Sequence, residues 1–359
     1  MLLDNIEKVG KYETLFMKRR TFIKKAGLGL TSIPILNSNL INTSILSADS
    51  IFFKLSLAQF SLFQSIMSKK IEVYDFARIS REEGFEGLEY VTALYKGGFF
   101  NLGKNKFGLK EAKEFAKKSN SKANEFGQEN LLLMVDSEGN LSNSDAKESK
   151  ISIENHHKWI DAASEMNCHS IRVNLYGSPD PKIWKESSIK NLNSLCEYAK
   201  DYKINILIEN HNNLSSNADL LIEVIKNIEY DNFGTLPDFG GWCLEFDDEI
   251  MKKVYSKYRG GRNKDNSGPT SIADACKTLY DRYEGMKKIL PYAKGVSAKS
   301  HAFDSSGNNT TFDYKRMLKL VKDSGYSGFI GVEYGGFGID PIQGVRSTRK
   351  LLLESAKNL

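Results

Sequence analysis

His169-Ser-Ile-Arg-Val-Asn-Leu175, then Lys182–Lys203, then Ile204-Asn-Ile-Leu-Ile-Glu-Asn-His211 run as a short apolar stretch, a long amphipathic one and a second short apolar one. The outer two read as strands and the middle one as a helix. A strand that returns to its sheet through a helix must lie parallel to its neighbour. The same unit repeats in both directions. Phe52–Leu62, Gly87–Val91 and Asn130–Val135 are strand-like, separated by helical patterns at Ile71–Glu83 and Leu109–Phe126, and Asp145–Met166 leads into His169. Beyond His211 come a helix at Ala218–Ile228, a strand at Phe233–Phe239, a helix at Ala273–Leu290 and a strand at Gly295–Lys299. A helix at Tyr314–Ser324, a strand at Phe329–Tyr334 and a helix at Pro341–Lys357 complete the chain. Eight strands alternating with eight helices fit a closed (β/α)8 barrel, of roughly 250 residues or more, better than an open doubly wound sheet.

One stretch breaks the alternation. Trp242–Ile272 separates the sixth strand from its helix and holds Asp247-Asp248-Glu249 and the polar run Arg259–Ser267. A long loop after a barrel strand opens on the catalytic face. It reads either as a substrate lid with a short helix at Asp247–Tyr258 or as a solvated excursion. No GxGxxG follows the first strand and no GxxxxGK[ST] occurs, so no nucleotide cofactor is expected.

The first 48 residues differ in character from the rest. Met17-Lys-Arg-Arg-Thr-Phe-Ile-Lys-Lys25 is basic, Ala26–Leu36 is mildly apolar, and a polar Asn/Ser stretch follows. This is the order of regions in an export signal, and Arg19-Arg20 resembles the twin-arginine type, which implies an exported, periplasmic protein starting at Met17. Residues 49–359 then form a single barrel domain. Of the 50 Lys/Arg and 45 Asp/Glu, residues 1–48 hold seven and three, leaving 43 against 42 in the barrel. A nearly neutral barrel offers no electrostatic footprint for nucleic acid. No apolar run is long enough for a bilayer span, so stable membrane insertion is not expected. Cys168, Cys196, Cys243 and Cys276 contain no CxxC and do not make a disulfide scaffold, and Cys168 and Cys196 read as small apolar residues.

Barrel chemistry gathers at the C-terminal ends of strands. Four strands end in polar groups: Glu209-Asn-His211, Asp238, Ser297-Ala-Lys299-Ser-His301 and Glu333. Side chains alternate along a strand, so Glu209 shares a face with His211, and Ser297 with Lys299 and His301. Three carboxylates meeting at one mouth repel one another and need a cation, for which a divalent metal is the usual choice: Mn²⁺, Mg²⁺ or Zn²⁺. Lys299, within a buried strand pattern, needs a partner of its own. Arg172 and Asn174 close the fourth strand and Glu89 lies on the second; they read either as contacts to substrate hydroxyls or as ordinary polar loop anchors. Trp242 and Phe337, near strand mouths, read either as stacking platforms for a substrate ring or as loop packing. His156, His157 and His169 read as structural.

Gly84-Phe-Glu-Gly-Leu-Glu-Tyr90, Ile206-Leu-Ile-Glu-Asn-His211, Leu236-Pro-Asp-Phe-Gly240 and Gly325-Tyr-Ser-Gly-Phe-Ile-Gly-Val-Glu333 together resemble the sugar phosphate isomerase/epimerase group of the xylose isomerase-like TIM barrels. The resemblance spans residues 52–356. It implies a metal held by Glu209, Asp238 and Glu333, with the two glutamates also serving as acid and base. The family's His-x-Lys-Asp on the seventh strand is here Ser297-Ala-Lys299-Ser300, so Ser297 stands where a histidine ligand is expected. Either His301 or His211 completes the metal shell, or the Lys299 ammonium partly replaces the metal. His301 lies four residues beyond Ser297 and is expected too high in the loop.

The chemistry implied is proton transfer next to a carbonyl of a small carbohydrate: isomerisation, epimerisation, or elimination from a 3-keto sugar with the same parts. A sugar-binding barrel without turnover is the alternative that Ser297 keeps open. A DNA endonuclease of a related barrel type needs more histidine ligands than the five present. The sequence leaves a homo-oligomer open.

Overall fold

The computed structural model describes residues 51–97, 107–258, 268–357 and 359. The export-signal reading of residues 1–48 and the polar run 259–267 fall outside the described residues. Ten strands are present among them: β1 Lys54–Ala58, β2 Gly87–Val91, β3 Glu129–Val135, β4 Ser170–Val173, β5 Asn205–Ile208, β6 Phe233–Thr235, β7 Cys243–Phe246, β8 Cys276–Leu279, β9 Val296–Ser300 and β10 Phe329–Tyr334. Eight of them pair in the order β6-β5-β4-β3-β2-β1-β10-β9, with each described ladder parallel. Parallel bridges Thr235–Ala293 and Asp238–Ser297 join the two ends of this sheet. The sheet therefore closes on itself, and the chain is a (β/α)8 barrel.

The helices between strands start where the sequence supplies an acceptor for free N–H groups. Asp145 Oδ1 accepts from Glu148 N at 2.8 Å before Ala146–Glu165, and Asp180 Oδ1 from Ile183 N at 2.9 Å before Pro181–Lys200. Asp313 does the same for Tyr314–Asp323 and Asp340 for Pro341–Ala356. Each such cap contributes about 1 kcal/mol, and Pro181 and Pro341 at the first helical position lose no hydrogen bond.

Strand alternation divides the core into two shells. Outward-facing Leu133, Val135, Ile171, Val173, Ile206, Ile208, Val296 and Val332 pack against helix residues such as Phe115, Trp159, Leu195, Met317 and Leu352. Inside the barrel a smaller apolar cluster unites Ala58, Val91, Leu132, Met134, Leu207 and Leu236 under Phe63 and Leu94. The rest of the lumen is polar, and the buried Ser56, Glu89, Arg172, Ser297, Lys299 and Glu333 belong to it.

The excursion after β6 corrects the helix expected at Ala273–Leu290. Only Arg282–Ile289 is α-helical there, capped by Asp281, while Ile272–Ala275 is a single 3-10 turn. Cys276–Leu279 instead pairs antiparallel with Cys243–Phe246, and Asp248–Tyr258 forms the short helix expected between them. The Cys243–Cys276 disulfide joins the two strands of this hairpin, with Cα atoms 5.7 Å apart. Spacing alone could not pair cysteines 33 residues apart, because only the folded hairpin brings them together. Cys168 and Cys196 are buried free thiols.

Two tests follow from this architecture. Closing a loop of this length is worth about 3–4 kcal/mol. Replacing both Cys243 and Cys276 with Ser is expected to speed limited proteolysis within residues 243–279 while the barrel's circular dichroism is retained; unchanged cleavage would show that the bridge does not hold the hairpin.

The second test concerns Glu89. Its Oε1 accepts from Ser56 Oγ at 2.6 Å, and a Cβ on Gly331 would lie 2.4 Å from that same oxygen, so the carboxyl fills space that only glycine leaves free. Burial pushes the Glu89 carboxyl up to about 7, against the Ser56 hydrogen bond, with the nearby Glu333 charge adding to the rise. The folded state thus holds this proton more tightly than the unfolded chain, so its contribution is complete below the ordinary carboxyl range and is lost as pH rises through about 7. Urea unfolding is expected to show a smaller stability loss between pH 5 and pH 8 for Glu89→Gln than for the parent. Equal losses would refute it.

Candidate active site

β5, β6, β9 and β10 deliver the charged groups to one end of the barrel. Glu333 and Lys299 are register partners across β10 and β9, which sets Lys299 Nζ 2.6 Å from Glu333 Oε1. The bridge between Asp238 and Ser297 closes the barrel two residues earlier on the strand, and Ser297 Oγ donates to Asp238 Oδ2 at 2.7 Å. Asp238 Oδ1 accepts from the backbone N–H groups of Gly240 and Gly241 at 2.6 and 2.7 Å, and Lys299 Nζ lies 3.8 Å from Oδ2. Glu209, just past β5, faces Arg172: Oε2 is 3.0 Å from Nε, close enough for an ion pair but not aligned for a hydrogen bond. The structure thus brings Glu209, Asp238, Lys299, Glu333 and Arg172 into one buried, coupled cluster.

Electrostatics in the cluster follow from burial and charge partners. Burial pushes the Glu209 carboxyl up to about 8, with Arg172 opposing and Asp238 reinforcing the shift. For Lys299, burial favours the neutral amine, but Glu333, Asp238 and Glu209 outweigh it and hold the ammonium well above its usual range. Arg172 is likewise opposed by burial and held cationic by Asp136 and Glu209. Burial, reinforced by Lys299, lowers His301 to about 4, so its imidazole is neutral near pH 7.

A cavity of about 320 Å³ opens beside this cluster. Phe60 and Phe63 from the segment after β1 line one side, and Phe246, Met251, Tyr255 and Ile272 of the excursion line another. Lys299, His301, His211 and the Gly240-Gly241 backbone supply its polar part. Tyr176 also lines it, and its hydroxyl lies 2.7 Å from His211 Nδ1. Glu209, Asp238 and Glu333 are not among the lining residues.

Other expected residues fall elsewhere. Trp242 is corrected: it is fully buried, and a Cβ on Gly285 would lie 2.1 Å from its ring, so it packs under the helix Arg282–Ile289 and has no face free for a sugar. Glu89 sits lower in the lumen, against Ser56 and Gly331, and does not line the cavity. Asn174 is engaged in a network, donating to Asp136 Oδ1 at 2.6 Å and accepting from Arg172 Nη1 at 2.9 Å. Phe337 packs partly buried against the Met251–Val254–Ala275 cluster. His301 is not too high in the loop. A Cβ on Gly240 would lie 3.0 Å from His301 Cε1, 3.1 Å from Lys299 Cδ and 3.3 Å from Asp238 Oδ1, so the three converge there. His301 is 3% exposed and neither ring nitrogen has a hydrogen-bond partner. His156 bonds the Ser152 carbonyl, His157 stacks on Tyr198, and His169 precedes β4 at the other end of the strand.

Asp136 and Tyr176 escaped the sequence reading. Asp136 accepts from Arg172 Nη1 at 3.0 Å and anchors it. Its signal was available, since it follows the apolar run Leu131–Val135 as Glu209 follows its own strand.

The metal set implied by the resemblance does not fit these residues. Asp238 gives both oxygens to internal donors, Glu333 gives one to Lys299, and Ser297 brings a hydroxyl bonded to Asp238 where an imidazole is needed. An ion among the carboxylates would also meet the Lys299 ammonium. At about 4 Å and an effective dielectric near 20, a doubly charged ion and an ammonium repel by roughly 8 kcal/mol. Among the described residues, no group of three or more His, Cys, Asp or Glu is arranged to hold a metal ion. No helix among them is long and apolar enough to cross a membrane.

Solved structures share this fold at low identity. A sugar phosphate isomerase/epimerase from Parabacteroides distasonis superposes with a TM-score of 0.57 and 15% identity, covering 88% of this chain and 98% of that one. The 3-keto-D-glucoside 4-epimerase from E. coli gives 0.56 and 12%, covering 84% and 99%. A xylose isomerase-like TIM barrel protein from Mycobacterium smegmatis, solved in complex with magnesium, gives 0.53 and 13%, covering 85% and 96%. Among curated proteins no sequence match is found. Residues 77–355 match the profile of one family, and with the closed barrel this places the chain in the xylose isomerase-like TIM barrel family.

Proposed function

We propose that this barrel is a sugar isomerase or epimerase that moves a proton at a carbon next to a carbonyl of a small, uncharged carbohydrate. The observation that carries the reading is the meeting of Glu209 and Glu333, from different strands, in the field of Lys299, a residue that lines the cavity. The substrate's carbonyl oxygen docks on Lys299 and draws it from Glu333, freeing that carboxylate as base. Glu333 removes the proton from the adjacent carbon, the electron pair moves onto the carbonyl oxygen, and Lys299 stabilises the resulting enediolate. Glu209, held protonated near neutral pH by its burial, returns a proton. Returning it to the opposite face of the same carbon epimerises the sugar; returning it to the former carbonyl carbon, with the hydroxyl proton passing from the second enediol oxygen to the first, isomerises it. A 3-keto sugar with a leaving group one carbon further on would undergo elimination in the same site. The fold shared with a 3-keto-D-glucoside 4-epimerase supports a keto-sugar substrate.

A second reading, sugar binding without turnover, is favoured by one observation: none of Glu209, Asp238 and Glu333 is among the residues that line the cavity. Hydrogen exchange separates the two. In D₂O, keto and aldo hexoses and 3-keto glucosides are incubated with the protein and the hydrogens next to the carbonyl are followed by NMR. Exchange that drops by about 10²–10⁴-fold in Glu209→Gln and Glu333→Gln supports the enzyme. Saturable binding with no exchange for any of these sugars sinks it.

The same assay tests the protonation of Glu209. A general acid must carry its proton, so the rate is expected to fall as pH rises through about 8. A rate still rising at pH 9 would remove Glu209 from the acid role.

We also propose export through the twin-arginine-type segment. The Cys243–Cys276 bridge supports it, because structural disulfides persist in oxidising compartments. Cell fractionation is expected to find the parent in the periplasm and the Arg19→Lys, Arg20→Lys variant in the cytoplasm. Equal periplasmic yield of both would count against this route.

A further inference from the structure

We infer that Lys299 is a permanent cation that takes the place of a divalent metal in this barrel and keeps one out. Four observations on separate residues carry the inference. Lys299 Nζ lies 2.6 Å from Glu333 and 3.8 Å from Asp238, between two of the three carboxylates that would ligate an ion. The third, Glu209, is matched by a different cation, Arg172, which Asp136 and Asn174 fix in turn. Ser297 occupies the position on β9 nearest Asp238 and spends its hydroxyl on Asp238 Oδ2. The remaining Asp238 oxygen is capped by the Gly240 and Gly241 N–H groups.

These contacts form one self-consistent arrangement. Asp238 and Glu333 already have internal cationic or N–H partners, and Glu209 lies against Arg172, so none of the three depends on an added ion. The ammonium is also placed for the work a metal would do, because Lys299 lines the cavity while its Nζ touches Glu333. An ammonium is a point charge with three donors on a flexible stem, so it can pass from a carboxylate to a substrate oxygen. The family pattern carries a lysine at this place too, so the departure that matters is Ser297, whose hydroxyl secures Asp238 Oδ2 where a ligand imidazole would stand. With no imidazole there, Lys299 is left as the cation between Asp238 and Glu333.

Metal binding is read directly, so the result does not depend on whether the protein turns over a sugar, and failure of the isomerase reading leaves this inference standing. Full-length protein is stripped with EDTA, dialysed against Mn²⁺, Zn²⁺ or Mg²⁺, and its metal content measured by mass spectrometry alongside thermal unfolding. The parent is expected to retain less than stoichiometric metal, and to show the same Tm with EDTA and with Mn²⁺. The Ser297→His, Lys299→Ala variant is expected to retain one Mn²⁺ per chain and to gain several degrees of Tm when Mn²⁺ is added, as binding to the folded state alone requires. One tightly held metal per parent chain, or a parent Tm that falls with EDTA, overturns the inference. So does a folded double variant that binds no metal, because Lys299 would then not be what excludes it. Should the double variant not fold, Lys299→Met, close in length and uncharged, replaces it, with a gain of Mn²⁺-dependent Tm expected and its absence counting against the inference.

Discussion

The ion pair between Lys299 and Glu333 ties together the barrel's closure, its charge balance and its cavity. It exists because β9 and β10 run parallel in a register that sets these two residues opposite each other. On the other side of β9, the Asp238–Ser297 bridge joins the segment after β6 to β9 and completes the barrel two residues earlier on the strand. Removing either charge would leave its partner buried alone, which typically costs about 3–5 kcal/mol. The seam of the barrel and the site are therefore one piece of structure.

Around that seam the lumen is organised as layers of charge. Glu89 sits low, sharing a proton-binding environment with Ser56 and filling the gap over Gly331. Arg172, Asn174 and Asp136 form a rigid side wall that reaches Glu209. Lys299 and His301 stand where the charge meets the cavity. This separation places ionic groups inside and aromatic groups outside. The sugar proposed as substrate would use both, its hydroxyls and carbonyl taking directed partners and its ring carbons packing on aromatic faces. The disulfide-bridged hairpin adds the apolar wall formed by Phe246 and Ile272.

Much of the fold was readable residue by residue. The β10 strand at Phe329–Tyr334 matched the expected segment, and Ala218 and Pro341 began helices where expected, because apolar alternation and helix caps are local signals. The segment after Ile272 was misread for the converse reason. Ala273–Leu290 carries helical periodicity, yet Cys276–Leu279 gains hydrogen bonds and a covalent bridge from a strand more than thirty residues earlier. Trp242 failed similarly: its place near a strand mouth said nothing of the glycine at 285 that makes room for its ring. Asp136 could have been found by the strand-end rule already applied to four other strands.

That eight strands alternate with helices, that Glu209, Asp238, Lys299 and Glu333 sit at strand ends, and that Ser297 stands in place of the family's histidine all follow from period and order along the chain. What those charges do to one another follows from the fold in three dimensions. Register across β9 and β10 put an ammonium on Glu333, barrel closure put a serine hydroxyl on Asp238, and the packing of Gly240 brought His301 down beside them. Electrostatic energy depends on distances of a few ångströms between residues far apart in sequence, and those distances are set by the closed barrel.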